Sequence, residues 1–289
     1  MVVSFFEDIF QYEKFPVEYE CFKQLKNCND LNYVAVPWTQ ILNSHWLDYP
    51  NKQPVEYYYR ALSKYKIQQE NNFTVCQHDS YMMLKLYFKH LNITKVFSPL
   101  HESSNNIPGV NILPIPFTSS FNFKQVKKDI HFSFIGTYTS HPIRMHMRSR
   151  ICGPNIVYRD SYHVDSNVII SSKNTKLAEE KEYQDTLQRS RFSLCPRGSS
   201  ASSVRFWESI HAQAIPILIS DDWVLPEWDW KNTVVSIKEN DFNKMKYSDI
   251  QALLNSISNE EENKMRQNCV KAYEKFNTTN FANYIRACL

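Results

Sequence analysis

Short apolar runs alternate along this chain with longer stretches in which apolar residues return at helical spacing. Tyr33 to Pro37, Phe73 to Cys76, Lys95 to Ser98 and Ile112 to Pro116 read as strands, with helices over Pro54 to Gln69 and Tyr81 to His90. Runs this apolar suit strands covered on both faces, and their alternation with helices implies a parallel sheet. After the polar stretch Thr118 to Asp129 the pattern restarts. Strands are expected at Ile130 to Ile135, Asn155 to Tyr158, Arg191 to Cys195, Ile215 to Ile219 and Val234 to Ile237. Helices are expected near Lys176 to Gln188 and Ser202 to Gln213, and from Asp249 to the end with one break. The reading is therefore α/β, with one domain over residues 1–120 and a second over 121–289. No fixed-period repeat or low-complexity tract interrupts it, which removes solenoids and coiled coils.

Length supports the division, since 289 residues exceed one ordinary core at roughly 150 residues per domain. With 43% hydrophobic, 14% aromatic and 22% charged residues, the chain lies outside the disordered class. Its four glycines are Gly109, Gly136, Gly153 and Gly198. Each is expected where the backbone takes a positive φ or something approaches it closely. A net charge of +3 does not call for nucleic acid, but it allows local basic sites for phosphate. The seven cysteines show no paired spacing and read as reduced thiols, and no Cys/His cluster has metal-ligand spacing. The opening residues Met1 to Phe10 contain acids and no basic leader, and no later run reaches the roughly 20 apolar residues of a membrane span. The expectation is a soluble, cytoplasmic protein with unmodified sequons at Asn72, Asn92 and Asn277.

The densest chemistry lies in Ser190-Arg-Phe-Ser-Leu-Cys-Pro-Arg-Gly-Ser-Ser-Ala-Ser-Ser-Val-Arg-Phe-Trp-Glu-Ser-Ile210: a buried strand, a Pro-Arg-Gly turn, a serine-rich loop and an amphipathic helix. Ligands of open parallel sheets lie beyond the carboxyl ends of strands, where this loop falls. Backbone N–H groups around Gly198, the hydroxyls of Ser199, Ser200 and Ser203, and the helix start suit an anion, and Arg197 adds a guanidinium. Arg205 and Glu208 share a helix face one turn on, where the acid suits ribose hydroxyls. The same residues also fit a plain helix, with Ser202 or Ser203 as cap and Arg205 paired with Glu208. The segment is not a GxxxxGK[ST] loop, so a kinase or ATPase is not indicated.

The run Ser190 to Gly198, then Ser203-Val-Arg-Phe-Trp-Glu208, then Ala214-Ile-Pro-Ile-Leu-Ile-Ser-Asp-Asp-Trp-Val-Leu-Pro226, resembles the signature block of the exostosin family, glycosyltransferase family 47. That block reads roughly S-x-F-x-L-C-P-R-G, S-x-R-x-x-E and G-x-I-P-V-I-I-x-D-x-x-x-L-P. Weaker echoes lie at Val34 to Pro37, Phe73 to Asp79, His131 to Gly136 and Asp229 to Ile237, so the resemblance spans about residues 30 to 260. Two departures replace small residues by small ones: Ala214 stands for the usual glycine and Ser193 for a frequent cysteine.

The resemblance implies a GT-B fold: two Rossmann-like domains facing a cleft, nucleotide sugar mainly on the second and acceptor mainly on the first, with C-terminal helices crossing back. It implies inverting transfer without a covalent intermediate. Animal members carry a membrane anchor not expected here, and compact soluble members are similar to those of large algal DNA viruses that glycosylate their own capsid proteins. UDP-xylose is then the favoured donor and a glycan or glycoprotein the acceptor.

Transfer needs a stabilised diphosphate leaving group and a base. The expected diphosphate site is Arg197, Arg205 and residues 198–203, with Glu208 on the ribose. Arg144, in the basic stretch His141 to Arg150, is expected to close on the phosphates from the other side of the cleft, while Arg148 and Arg150 read as a solvated face. Asp79 is the favoured base, with His78 as the alternative and a helix cap near Tyr81 as the competing role for Asp79. Asp221 and Asp222 resemble a metal pair but also suit a turn, and no metal or other cofactor is expected. The rivals are a catalytically inactive glycan-binding protein of the same fold and a nucleic-acid binder, whose strongly basic face and reader motif are missing.

Overall fold

The computed structural model describes residues 2–11, 16–45, 52–119, 121–151, 156–159 and 173–289. The fold is α/β, and the chain divides into two compact units. The first comprises Met1–Thr118, Asp222–Pro226 and Phe276–Leu289, and the second Ser119–Asp221 and Glu227–Lys275.

In the first unit, β1 (Val3–Ser4), α1 (Pro16–Leu25), β2 (Val34–Ala35), α2 (Trp38–Leu42), α3 (Val55–Leu62), β3 (Asn72–Val75), α4 (Lys85–His90), β4 (Ile93–Ser98) and β5 (Asn111–Pro114) follow in order. β1 pairs with β2, and β3, β4 and β5 form a second parallel ladder. A parallel bridge between Tyr33 and Phe73 joins the two. The core gathers Val34, Trp38, Ile41, Tyr58, Leu62, Tyr81, Leu84, Phe88 and Val96. Each large apolar side chain buried in this way contributes about 1.5–3 kcal/mol.

Sequence periodicity overshoots at α3, which stops at Leu62 rather than Gln69. Beyond it Asn92 Nδ2 donates to Ile67 O and Asn72 Nδ2 to Gln69 O, so side-chain amides occupy carbonyls that a longer helix would need. The stretch from Tyr81 likewise opens as a 3-10 turn over Tyr81–Leu84 before α4. α1 and α2 have no counterpart in the strand and helix pattern read above.

The second unit runs β6 (Ile130–Ile135), α5 (Pro142–Arg150), β7 (Ile156–Arg159), α6 (Lys173–Arg189), β8 (Ser190–Pro196), α7 (Val204–His211), β9 (Ile215–Ile219), β10 (Val235–Ser236), α8 (Glu239–Phe242), α9 (Tyr247–Asn255) and α10 (Asn259–Phe276). Its parallel sheet has the order β10-β9-β8-β6-β7. The chain leaves β6 for β7 on one side and returns to β8 on the other, so the order reverses between β6 and β8. In open α/β sheets ligands bind beyond the strand ends at such a reversal. Phe132, Phe134, Phe192, Leu194, Ile215 and Ile217 pack with Ile143 and Met147 of α5 and Ile250 and Leu254 of α9.

The C-terminal helical stretch is broken twice rather than once. A capping box restarts it at α10, where Glu261 N–H donates to Ser258 Oγ and Ser258 N–H to the Glu261 carboxylate. After a second break, α11 (Phe281–Cys288) packs in the first unit. There Gln24 Oε1 accepts Ala282 N–H, Tyr284 Oη donates to Pro114 O and Arg286 pairs with Asp30. No helix of the described residues is long and apolar enough to cross a membrane.

Candidate active site

Three arginines and two glycines meet at the reversal between β6 and β8. Arg144 arrives from the first turn of α5, which starts sharply because His141 caps it through Ile143 N–H and Pro142 occupies the first turn. Its Nε donates to Arg197 O at 2.8 Å, Nη2 to Pro196 O at 2.9 Å and Nη1 to Thr137 O at 3.2 Å. Arg144 therefore clasps the turn after β8 from within the same unit, as well as adding charge. This corrects the expectation of a residue closing from the opposite side. Burial, with the neighbouring Arg205 charge, brings its guanidinium down to about 10.

Arg205 comes from the first turn of α7 and is also buried. Its guanidinium lies 4.3 Å from the Phe134 ring centroid and donates to Ile135 O. Nε and Nη1 are buried with no hydrogen-bond partner among the described residues. Neither arginine forms an ion pair there, and Arg205 does not pair with Glu208. Buried cations without carboxylates are costly, and orphaned N–H donors at a strand end are what an anionic ligand would satisfy.

Gly136 makes room for a side chain rather than for unusual backbone. Gly109 takes a φ of 79°, but a Cβ at Gly136 would collide with Arg205 Nη2. A Cβ at Gly198 would stand 3.4 Å from Arg144 Nη2. Gly153 lies outside the described residues.

Arg197 follows β8, where its N–H donates to Ile219 O and its Nη1 lies 3.6 Å from Glu239 Oε1. Glu239 Oε1 also accepts Asp221 N–H, and Asp221 Oδ1 accepts Glu239 N–H and lies 3.6 Å from Lys238 Nζ. Asp222 belongs to the other unit and accepts Ser103 N–H at its carbonyl. Gly198 N–H closes the serine loop onto Ser202 O, and Ser200 and Ser202 hydroxyls are 2.9 Å apart. Ser199 is exposed. Ser203 is the N-cap of α7 without a side-chain cap bond, so the helix start does not consume its hydroxyl.

Glu208 is buried on α7 and accepts the Tyr183 hydroxyl from α6. Burial raises its carboxyl, opposed by Tyr183 and Arg205, while burial and Glu208 together push Tyr183 up. Tyr183 was not singled out in the sequence, although it precedes the buried Leu187 by one helical turn. Arg150 is exposed and donates to Asn243 O, and the Arg148 side chain lies outside the described residues.

In the first unit, His78 and Asp79 sit in the loop after β3. His78 Nδ1 is 3.1 Å from Asp79 Oδ1 and 3.0 Å from Ser80 N, and Nε2 is 3.4 Å from Asn43 Oδ1. One nitrogen cannot serve both neighbours. With a proton, Nδ1 donates to Asp79 and helps hold its carboxyl down to about 2; without one, it accepts Ser80 N–H. Asp79 does not cap the following turn, whose N-cap is Ser80 without a side-chain bond.

Sequence reading passed over Glu18. It occupies the apolar face of α1 with Cys21, Phe22 and Leu25, is fully buried, and accepts Gln77 N–H at 2.8 Å and the Thr39 hydroxyl at 2.6 Å. An acid on an otherwise apolar helical stripe was the available signal. Among the described residues, no group of three or more His, Cys, Asp and Glu side chains is arranged to hold a metal ion.

The arginines thus gather beyond the strand ends of a parallel α/β sheet, at the reversal of its strand order. Residues 33–253 match the Exostosin GT47 domain, and the chain belongs to that family. It is 32% identical over 98 residues to an Exostosin-1 homolog of Caenorhabditis elegans, covering 33% of this chain and 24% of that one. It is 44% identical over 57 residues to Exostosin-1 of Drosophila melanogaster, covering 19% and 8%. A probable glycosyltransferase of Arabidopsis thaliana is 36% identical over 63 residues, covering 20% and 13%. The chain thus spans less than a quarter of the length of these relatives. Among solved structures, TarM is similar at a TM-score of 0.40 and 13% identity, over 80% of this chain and 56% of that one. The pneumococcal O-GlcNAc transferase GtfA in complex with UDP and GlcNAc is similar at 0.40 and 10%, over 75% and 52%.

Proposed function

We propose that this chain is a glycosyltransferase that moves a sugar from a UDP-sugar, with UDP-xylose as the favoured donor, to a hydroxyl of a glycan or glycoprotein. The observation that carries the reading is Arg205: a buried guanidinium at the strand-order reversal whose Nε and Nη1 have no hydrogen-bond partner and which forms no ion pair among the described residues. In this reading the acceptor oxygen attacks the anomeric carbon, the bond to the diphosphate breaks, and the configuration inverts. Arg205, Arg197, the loop over residues 198–203 and the start of α7 take the charge of the departing diphosphate, while Arg144 holds the turn in place. Glu208, steadied by Tyr183, receives the ribose. The acceptor proton passes to Asp79, with His78 beside it as the alternative base. The setting would be cytoplasmic, in capsid glycan synthesis if the chain is viral, with no metal required.

A second reading, a glycan-binding protein without catalysis, draws on the low Asp79 carboxyl, because a group held down to about 2 is a weak proton acceptor. Calorimetry and thermal shift with UDP, GDP, CMP and their sugars separate the two. Binding of UDP and one UDP-sugar, lost in Glu208→Ala, is expected along with UDP release on adding acceptor. Absence of binding to every nucleotide rejects the transferase reading, and binding without release leaves the glycan-binding one.

A further inference from the structure

We propose that Glu18 is a positioning residue for the His78–Asp79 loop, fixing from behind both the backbone and the ring partner of the groups that take the acceptor proton. The inference rests on the reading of His78 and Asp79 given above.

The Glu18 carboxylate joins three elements. Oε1 accepts Gln77 N–H at 2.8 Å from the loop after β3 and the Thr39 hydroxyl at 2.6 Å, and both oxygens lie 3.2 Å from Thr39 N in the first turn of α2. Gln77 returns a bond to α1, its Oε1 accepting Val17 N–H at 2.9 Å. His78 is the next residue, and its ring meets Asn43 Oδ1 at the C-cap of α2. One buried anion therefore grips the backbone immediately before His78 and, through Thr39, the short helix whose far end holds the imidazole.

A core position does not need this charge. The neighbours of Glu18 on α1 are apolar, and burying a carboxylate carries a desolvation cost that an apolar side chain avoids. What the carboxylate provides is acceptors for two backbone N–H groups and a hydroxyl, which would otherwise be orphaned in the interior. A glutamine offers one oxygen and turns an N–H₂ toward donors. The next bonds of the loop, Ser80 N–H to His78 Nδ1 and Ser80 Oγ to Asp79 Oδ1 at 3.1 Å, start one residue beyond the Gln77 N–H that Glu18 holds.

The test is Glu18→Gln in the full chain, followed by hydrogen–deuterium exchange, UDP calorimetry and UDP release from UDP-xylose, or from whichever UDP-sugar the wild type uses, with an oligosaccharide acceptor panel. Exchange over residues 77–81 should rise about tenfold or more, with the rest of the first unit protected as before. UDP affinity and donor KM should stay within about twofold, while kcat falls about tenfold or more. Unchanged loop exchange overturns the proposal, as does faster exchange with unchanged kcat. Wild type that releases UDP from no UDP-sugar rejects the functional reading and this role with it, whereas wild-type turnover retained by Glu18→Gln rejects the positioning role alone. If Glu18→Gln does not fold, Gln77→Ala cuts only the Val17 bond. Loop exchange and kcat should then move in the same directions by about threefold, and no movement in either overturns the idea.

Discussion

Of three buried charges, Glu18 in the first unit and Arg144 and Arg205 in the second, two are satisfied by the protein around them and one is not. Glu18 is surrounded by donors within its own unit, so its charge is spent on architecture. Arg144 is similar, with three carbonyls around it. Arg205 differs: one carbonyl and the rings of Phe134 and Tyr183 hold it, and its Nε and Nη1 have no hydrogen-bond partner among the described residues. A satisfied buried charge marks a brace, whereas an unsatisfied one at a strand end marks a place for a ligand.

The sharpest way to break this contrast is Arg205→Ala, which should lower UDP-sugar turnover by about a hundredfold or more and weaken UDP binding by calorimetry. Gly136→Ala should act in the same direction without removing charge, since its methyl group collides with the guanidinium. If both variants bind UDP like wild type, Arg205 is a brace and the contrast fails.

Glu18 should reveal itself next, through pH. Burial raises its carboxyl from 4.5 to about 7, against the pull of Thr39, Gln77 and His78, with Cys21, Tyr33 and Cys76 also nearby. The folded state thus holds the proton more tightly than the unfolded chain. That contribution is complete below 4.5 and is lost as pH rises through about 7, an effect of about 3 kcal/mol. Urea unfolding of wild type and Glu18→Gln between these limits should show the slope in the first and its absence in the second.

Tyr183→Phe comes third. It removes the donor from buried Glu208 and should cost about 1–2 kcal/mol in thermal unfolding, with weaker UDP binding. Gly198→Ala should do least among the variants, changing UDP affinity less than about threefold, because its Cβ would meet Arg144 at an ordinary contact distance. Excess EDTA should leave turnover unchanged, and a loss that Mg²⁺ or Mn²⁺ restores would reopen Asp221 as a metal ligand.

Much of the second unit was legible in the amino-acid pattern. Ile130 to Ile135 and Ile215 to Ile219 are strands as read, and the segment from Ser190 to Glu208 forms the strand, turn and helix expected of it. These elements report their own burial through local periodicity, and the turn carries its chemistry in consecutive residues. The first unit was less legible because β1 and β2 are two residues long and α2 five, too short for periodicity to register.

The sequence by itself determined that the chain alternates strand and helix, that a Pro-Arg-Gly turn and serine-rich loop follow the strand ending at Pro196, and that Gly136 and Gly198 stand where the backbone turns unusually or something comes close. Only the tertiary structure decided what comes close. It placed Arg205 against Gly136 and Arg144 against Gly198, and it turned Glu18 toward a backbone N–H 59 residues away. It also set the strand order that reverses between β6 and β8 and returned α11 to the first unit. The division has a physical cause. Local propensity and burial are written at a spacing of two to four residues, whereas the partner of a buried charge is chosen by which distant segments the sheet order brings together.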